Sequence, residues 1–375
     1  MTRILVEASA AYNQGAGIGR YSRNILQRLI PLASVDEFTL LRAPEDQAIS
    51  RFDVSRWSNA SLKTLPFDRR NADRLWFRLR APVDARLFAG SADVVYSPDF
   101  TAPPMWNVPR LITVHDLAFL THPEYTTDAL KRYLEAVVPR QVERADLVAV
   151  VSQATADDVQ RYYGVPDDKI VLVRNAVDQS FYDVQPLTTG QKARRNLPER
   201  YFVMLGTIEP RKNHAIALDA IERTGIGKQT PLVIIGRPGW GHESIMQRIA
   251  DLQQRGMVVH LDNVSDGDLP AIVASSQAMV YPSWTEGFGL PVAEAMATGV
   301  PVVTSMAPAL KEVGGELAIY VDPTDAESLA EHMQNLAQAP IENAAREARI
   351  TWTRQFSWDS STSTVYDAIK TISKK

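Results

Sequence analysis

Ser283-Trp284-Thr285-Glu286-Gly287-Phe288-Gly289-Leu290-Pro291-Val292-Ala293-Glu294-Ala295-Met296-Ala297-Thr298-Gly299 lies between two apolar runs, Ala278-Met279-Val280-Tyr281 and Val300-Pro301-Val302-Val303-Thr304. The runs read as strands. The span between them reads as a loop and a short helix with Pro291 in its first turn. Strand–loop–helix–strand is the unit that sets ligands at the carboxyl ends of parallel strands, so this stretch points to an α/β fold. Glu286 falls in the loop, and Glu294 falls about one turn into the helix. The backbone of Gly287-Phe288-Gly289-Leu290 runs into the helix N-terminus, where unpaired N–H groups and the positive end of the dipole favour an anion. Carboxylates accept hydrogen bonds from hydroxyls, and amides hold phosphate oxygens; a ligand with both groups suits the stretch. A lone glutamate at a helix start is ordinarily just solvated. The two flanking glycines, Pro291, Glu294 and the small residues Ala295, Ala297 and Gly299 make a binding loop the better reading.

The rest of the chain repeats the same rhythm. In the first half, strands are expected at Ile4-Leu5-Val6, Phe38-Thr39-Leu40-Leu41, Ala92-Asp93-Val94-Val95-Tyr96, Arg110-Leu111-Ile112-Thr113-Val114, Leu147-Val148-Ala149-Val150-Val151 and Lys169-Ile170-Val171-Leu172-Val173. The second half restarts at Tyr201-Phe202-Val203-Met204-Leu205, with further strands at 231–235, 258–260 and 318–321. Strands alternating with helices through both halves predict two doubly wound parallel sheets, and 375 residues suit two domains. The polar, aperiodic span 179–190 reads as the connection between them.

Several strand ends carry chemistry. After the first strand, Asn13-Gln14-Gly15-Ala16-Gly17-Ile18-Gly19-Arg20 opens a helix; its glycines at 15, 17 and 19 depart from the dinucleotide fingerprint, which counts against a dehydrogenase. His115-Asp116 stands at the end of the strand at 110–114. Arg211-Lys212 lies between a strand and a helix, where two cations oppose the helix dipole; an anionic diphosphate is the reading that explains them. Asp266-Gly267-Asp268 spells a metal–diphosphate motif but is read as a helix opening near Ser265 or Asp266. No metal is expected. The chain has no cysteine, so disulfides and thiolate metal sites are excluded, and its six histidines show no zinc spacing.

Charge is uneven. The net charge is −4, yet 51–86 holds nine Lys/Arg (Arg51, Arg56, Lys63, Arg69, Arg70, Arg74, Arg78, Arg80 and Arg86) against four acids. The tract also carries Trp57, Trp76, Phe77 and Phe88. Two readings stay open for 51–88: an anionic membrane surface, or helices whose aromatics face the core. No leader or long apolar span is read at the N-terminus, so a cytoplasmic protein is expected, peripheral on the inner face of the plasma membrane if the basic tract docks there.

Glu286-x7-Glu294, with Gly206-Thr207-Ile208-Glu209-Pro210-Arg211-Lys212-Asn213, Val114-His115-Asp116 and Val151-Ser152-Gln153-Ala154-Thr155, resembles the retaining glycosyltransferases of the GT-B fold, family GT4, over nearly the whole chain. The resemblance implies two Rossmann-like domains facing a cleft: 1–178 as the acceptor domain, joined by a C-terminal helix at about 357–375, and 191–356 as the nucleotide-sugar domain. It implies that Arg211 and Lys212 hold the diphosphate, Glu294 the ribose and Glu286 the transferred sugar. The amides of Phe288, Gly289 and Leu290 contact sugar and phosphate, Arg237 and Val264 flank the base, Gly15, Gly17 and Gly19 approach the donor, and His115 sits by the anomeric centre. The wording of 206–213 and Gly239-Trp240 is most similar to bacterial mannosyltransferases of surface-polysaccharide assembly. GDP-mannose is therefore the expected donor, with UDP-glucose and UDP-N-acetylglucosamine as alternatives, and a glycan or lipid-linked acceptor is the expected partner rather than nucleic acid. A sugar-nucleotide epimerase on the same fold and a non-catalytic nucleotide-sugar binding protein remain the other readings. Gly15-Ala16-Gly17 in place of a Gly-Gly pair, and Met306-Ala307 where Ser or Gly is commoner, depart from the family pattern.

Overall fold

β1 (Arg3–Glu7), β2 (Glu37–Arg42), β3 (Ala60–Thr64), β4 (Val94–Ser97), β5 (Arg110–Val114), β6 (Leu147–Val150) and β7 (Ile170–Leu172) form one sheet in the order β3-β2-β1-β4-β5-β6-β7. β8 (Phe202–Leu205), β9 (Leu232–Ile235), β10 (Val258–Leu261), β11 (Ala278–Tyr281), β12 (Val302–Ser305) and β13 (Ile319–Val321) form a second, in the order β10-β9-β8-β11-β12-β13. Every pairing in both sheets is parallel. The strand order reverses between β1 and β4 in the first sheet and between β8 and β11 in the second. Those reversals are where open α/β sheets form ligand crevices.

The computed structural model describes residues 1–15, 17–44, 52–79, 81–339 and 342–374. The chain divides into a first unit, Met1–Thr121 with Asp128–Asn175 and Ser357–Lys375, and a second unit, His122–Thr127 with Ala176–Phe356. Each has its own core. In the first, Leu5, Val95, Ile112, Val148 and Val150 pack beneath Phe119, Val138 and Val159. In the second, Met204, Ile234, Val280 and Val303 pack against Leu218, Ile221, Leu329 and Met333. The central strands are buried on both faces, which is why they read as unbroken apolar runs.

The departures from expectation have local causes. β3, Ala-Ser-Leu-Lys-Thr, went unread because it is an edge strand, exposed over four of its five residues, and has no apolar run to show. The connection expected at 179–190 contains a 3-10 turn, Gln179–Phe181, and the start of a helix, Thr189–Arg194, closed by a capping box between Thr188 and Gln191. The helix expected from Ser265 or Asp266 begins at Leu269 with Asp268 as its cap; Asp268 is paired to Arg195 Nη2 at 2.5 Å.

The basic tract folds as β3, a helix (Arg69–Asp73), a π turn (Arg74–Arg78) and a short helix (Arg86–Ala89). Its aromatics turn inward: Phe67 meets Phe88 edge-on at 5.3 Å and Trp76 at 6.0 Å, and all three pack on the core. Leu79 and Leu87 are its most exposed apolar side chains among the described residues, 76% and 75% accessible. Arg51 and Arg80 lie outside the described residues.

The helix Trp358–Ile372 belongs to the first unit. Its Tyr366 Oη donates to Asp36 Oδ2 at 2.9 Å, and Lys370 Nζ lies 3.2 Å from the same oxygen. Thr2 N–H donates to Asp36 Oδ1 at 2.7 Å. Asp36 is fully buried, and although burial raises its pKa, these donors bring it below the ordinary range. Asp36→Ala should therefore destabilise the protein by about 2 kcal/mol, the scale of lost hydrogen bonds to a charged group, read as a lower urea midpoint of the first unit.

Candidate active site

The second sheet delivers two loops to its reversal point. β8 runs into Gly206-Thr207-Ile208-Glu209, then a 3-10 turn, Pro210–Lys212, then Asn213 at φ 56°, and then the helix His214–Thr224. Asn tolerates this left-handed conformation better than most side chains do. Asn213 Nδ2 donates to Pro282 O at 3.2 Å, tying the β8 loop to the β11 loop, and to Pro323 O at 2.8 Å, just past β13. Trp284 N–H donates to Arg211 O at 3.0 Å and adds a second tie.

Glu286 is the centre of this assembly. Its Oε1 lies 2.5 Å from Lys212 Nζ, 2.8 Å from Tyr281 Oη and 2.7 Å from Ser283 Oγ. Its Oε2 lies 3.3 Å from Arg211 Nη1. Lys212 Nζ also donates to Tyr281 Oη at 2.7 Å, so the phenol accepts from the ammonium and donates to the carboxylate. The side chains of Lys212 and Glu286 are only 10% and 9% exposed. Burial pushes the Glu286 carboxyl up, but the charges of Lys212 and Arg211 and hydrogen bonds from Lys212 and Ser283 overcome it and hold the group at about 2. Burial lowers the Lys212 pKa, with Arg211 adding to the effect and Glu286 opposing it. Burial also brings the neighbouring His214 down to about 4, helped by the Lys212 charge, so that imidazole is neutral at pH 7. Arg211 is held on its other side by Glu209 at 3.1 Å. The cluster thus sets two cations against two carboxylates.

Glu294 sits on the helix Leu290–Ala297 and is 1% exposed. Gly289 caps that helix at φ 101°, and a Cβ there would come 2.5 Å from Leu310 Cδ2, so the position demands glycine. Phe288 and Leu290 are buried, with Phe288 edge-on to Phe356 at 5.3 Å. At the far end, Arg349 Nε donates to Gly299 O at 3.0 Å and fixes the turn that follows the helix. Arg237 and Val264 follow β9 and β10, the strands on the outer side of β8. Arg237 is exposed and reaches Asn263 Oδ1 at 3.4 Å.

In the first unit, His115 is buried at the end of β5, and its Nε2 meets Pro98 O at 2.9 Å. A carbonyl can only accept, so Nε2 donates in this contact. Tyr21 packs edge-on against the ring at 4.9 Å. Asp116 Oδ1 accepts from Ala118 N–H at 3.0 Å. Around Gly15 and Gly17 a side chain would meet nothing within 4 Å, whereas at Gly19 it would strike Gln14 O. Gly15 and Gly17 leave open space; Gly19 is required by the turn itself.

Sequence reading missed Tyr281 as a functional side chain, passed over Ser283 and left Glu209 unassigned. The available signal was a phenol as the last residue of an apolar strand. Among the described residues, no group of three or more His, Asp or Glu side chains is placed to hold a metal ion.

A family model described as glycosyl transferases group 1 matches residues 188–351, and one described as glycosyltransferase family 4 matches residues 15–181. O-antigen chain mannosyltransferase B of Escherichia coli is 31% identical over 370 residues, covering 95% of this chain and 96% of that protein. O-antigen chain mannosyltransferase RfbU of Salmonella typhimurium is 27% identical over 350 residues, covering 90% and 92%. Among solved structures, sucrose-phosphate synthase from Thermosynechococcus elongatus superposes with a TM-score of 0.75 at 17% identity, covering 99% of each chain, a likeness in fold. The expected GT-B fold class is borne out by that likeness and by the two parallel sheets. With the two family models dividing the sequence between them and identity to a relative running nearly end to end, this chain belongs to the group 1 glycosyltransferases, family 4.

Proposed function

We propose that the protein moves a mannosyl residue from GDP-mannose to a glycan or lipid-linked acceptor, with retained anomeric configuration, in polysaccharide biosynthesis. The observation that carries this reading is the Arg211–Lys212–Glu286 cluster at the reversal of the second sheet, beside a helix N-terminus. The O-antigen mannosyltransferase names of the two relatives favour mannose over the alternative sugars.

Arg211, held to Glu286 at 3.3 Å, exchanges that contact for the diphosphate. Lys212 keeps its shorter contact and adds its charge. The amides of Phe288, Gly289 and Leu290 supply further donors, and Glu294 takes the ribose hydroxyls. Arg237 and Val264 flank the base. In this reading Glu286 first aims the two cations and reaches the transferred sugar only as Arg211 turns to phosphate. In the first unit, His115 and the loop of Gly15, Gly17 and Gly19 are assigned to the sugar being moved.

In the reaction, the bond from the anomeric carbon to the phosphate oxygen breaks, and its electron pair leaves with the diphosphate. The acceptor hydroxyl oxygen bonds to the anomeric carbon on the same face, and its proton passes to the departing phosphate. Fixed cations and amides stabilise the charge that develops on the leaving group, the kind of electrostatic term that commonly dominates such catalysis. That charge balance requires no metal.

Ligands of the native state raise its stability by mass action. In a thermal-shift panel of GDP-, UDP- and ADP-sugars, GDP-mannose should give the largest rise, unchanged by EDTA, and Arg211→Ala or Glu294→Ala should weaken donor binding at least tenfold by calorimetry. A larger rise with a UDP-sugar would reassign the donor. Glu286 adds a pH signature: with a folded value of about 2 against an ordinary 4.5, its stabilisation is present above pH 4.5 and is lost as pH falls toward 2. The stability gap between wild type and Glu286→Gln should shrink by about 2 kcal/mol from pH 6 to pH 3.

Peripheral membrane docking belongs to the same proposal. Among the described residues no helix is long and apolar enough to cross a membrane. Leu79, Leu87 and the half-exposed Trp106 stand with the exposed Arg70, Arg74 and Arg78 on the first unit. A cavity there is lined by Trp106, Arg140 and Arg144, with no acidic side chain. Sedimentation with phosphatidylglycerol vesicles but not with phosphatidylcholine, weakened by salt and by a Leu79→Asp/Leu87→Asp double variant, is the expected result; equal recovery from both vesicles would remove this part of the reading.

A further inference from the structure

β11, Ala278-Met279-Val280-Tyr281, is buried along its whole length, and Pro282 follows it. Packing alone would be served by phenylalanine at its last position. The strand ends instead in a phenol, 1% exposed, whose hydroxyl stands among charges. The backbone fixes its place: Tyr281 pairs in register with Thr304 of β12, and Thr304 Oγ1 donates to Tyr281 O at 2.7 Å. Lys212 sits in a 3-10 turn and reaches the cluster on a flexible stem, and Glu286 sits in a loop. Of these three side chains, only the tyrosine is carried by a strand.

An ammonium has three N–H donors. Tyr281 Oη accepts one from Lys212 at 2.7 Å, and Glu286 Oε1 accepts another at 2.5 Å. Two fixed directions leave a single direction for the third. The phenol has one donor of its own, which goes to Glu286 Oε1 at 2.8 Å. Burial and the Glu286 charge raise the phenol pKa well above the ordinary range, so that proton stays in place at neutral pH. Ser283 Oγ lies 2.7 Å from the same carboxylate oxygen. Oε1 is thus ringed by Lys212, Tyr281 and Ser283, while Oε2 has Arg211 at 3.3 Å. Arg211 is the looser cation, with the longer contact and a side chain 21% exposed against 10% for Lys212.

We propose that Tyr281 is a positioning residue for sugar transfer: its hydroxyl pins both the Lys212 ammonium and Glu286 Oε1, so that the third N–H of Lys212 faces the sugar-bearing phosphate and Oε2 is presented to the sugar once Arg211 turns away. The inference rests on the donor reading above and adds the group that holds the grip on phosphate and the grip on sugar at a fixed spacing. The phosphate concerned is the one esterified to the sugar, because Lys212 is bonded directly to the carboxylate assigned to that sugar. A nucleoside monophosphate lacks it.

Phenylalanine at 281 keeps the ring and removes the hydroxyl. Lys212 then has one fixed acceptor, and its third N–H loses its direction. A hydrogen bond to the charged form is lost as well, which lowers the lysine pKa. The groups around the ammonium are Arg211 and Glu209 on its own loop, His214 on the next helix, and Tyr281 and Glu286 at and beyond the end of β11. His214 is neutral at pH 7, so it adds no change above neutrality. A grip that needs the ammonium is lost as pH rises through the lysine pKa; a lower pKa moves that loss to lower pH.

The test uses the full-length protein and calorimetry with GDP and GMP, replaced by UDP and UMP if the thermal-shift panel reassigns the donor. Tyr281→Phe should weaken GDP at least about fivefold and leave GMP within about twofold, on the scale of a lost hydrogen bond to a charged group. Lys212→Met removes the ammonium; adding Tyr281→Phe to it should change GDP affinity by less than about twofold, because the two side chains act as a unit. Titration of the shared base cancels in the ratio of GDP to GMP affinity. Between pH 7 and 10 that ratio should fall at a pH about half a unit or more lower in Tyr281→Phe than in wild type. A phenol that only packs would give equal losses of both nucleotides, additive effects in the double variant and an unmoved ratio. Any of those results, or GDP binding within about twofold of wild type, overturns the proposal. A wild type that binds neither GDP nor UDP would defeat the donor reading itself, whereas a wild type that binds GDP beside an indifferent Tyr281→Phe defeats only the role of the tyrosine.

Discussion

The 2.5 Å contact between Lys212 Nζ and Glu286 Oε1 joins the loops that leave β8 and β11, adjacent strands at the reversal of the second sheet. Taking an ammonium and a carboxylate out of water costs several kcal/mol each, and their attraction offsets this only with good geometry and further hydrogen bonds. Tyr281 and Ser283 provide those bonds, and Asn213 locks the two loops a second time through Pro282. The crevice is therefore held in shape before any ligand arrives. Such preorganisation is what makes electrostatic stabilisation effective, because little reorganisation remains for the reactive moment.

Both sheets follow one topological rule and fill its crevice differently. The second unit places two cations, two carboxylates and a helix N-terminus at its reversal, an arrangement suited to a charged ligand. The first places Glu7, Arg42, Arg69 and Asp73 beside Trp76 and Phe77 next to its own. Neither content follows from the fold; each follows from the residues that happen to end the strands. This is why glutamates at the same topological depth behave so differently: Glu286, ringed by donors, stays ionised far into acid, whereas Glu7, mostly desolvated, does not.

The sequence was most legible where burial is two-sided. β4, β5, β8, β9 and β11 announce themselves because nearly every residue is apolar, and the residues just past β5, β8 and β11 were picked out as reactive because charge interrupts such runs. Legibility failed where that contrast is absent. β3 is exposed along its length, and the helix Thr189–Arg194 is short and without buried residues. The aromatics of the basic tract, Phe67, Trp76 and Phe88, sit among arginines in the chain yet meet one another in space, a pairing that only the fold can reveal. Tyr281 was hidden for a related reason: at the end of a strand, a phenol counts as apolar until its hydroxyl finds Lys212.

Asp36 draws two of its partners, Tyr366 and Lys370, from more than 300 residues further along the chain. The second unit is thus, in the sense of connectivity, a long insertion within the first. During synthesis a ribosome releases everything needed for the second core before it releases the helix that completes the first. Thr2 and Asp36, made well before that helix, wait for it until the second unit has emerged, so the unit that is begun earlier is the one that is finished later.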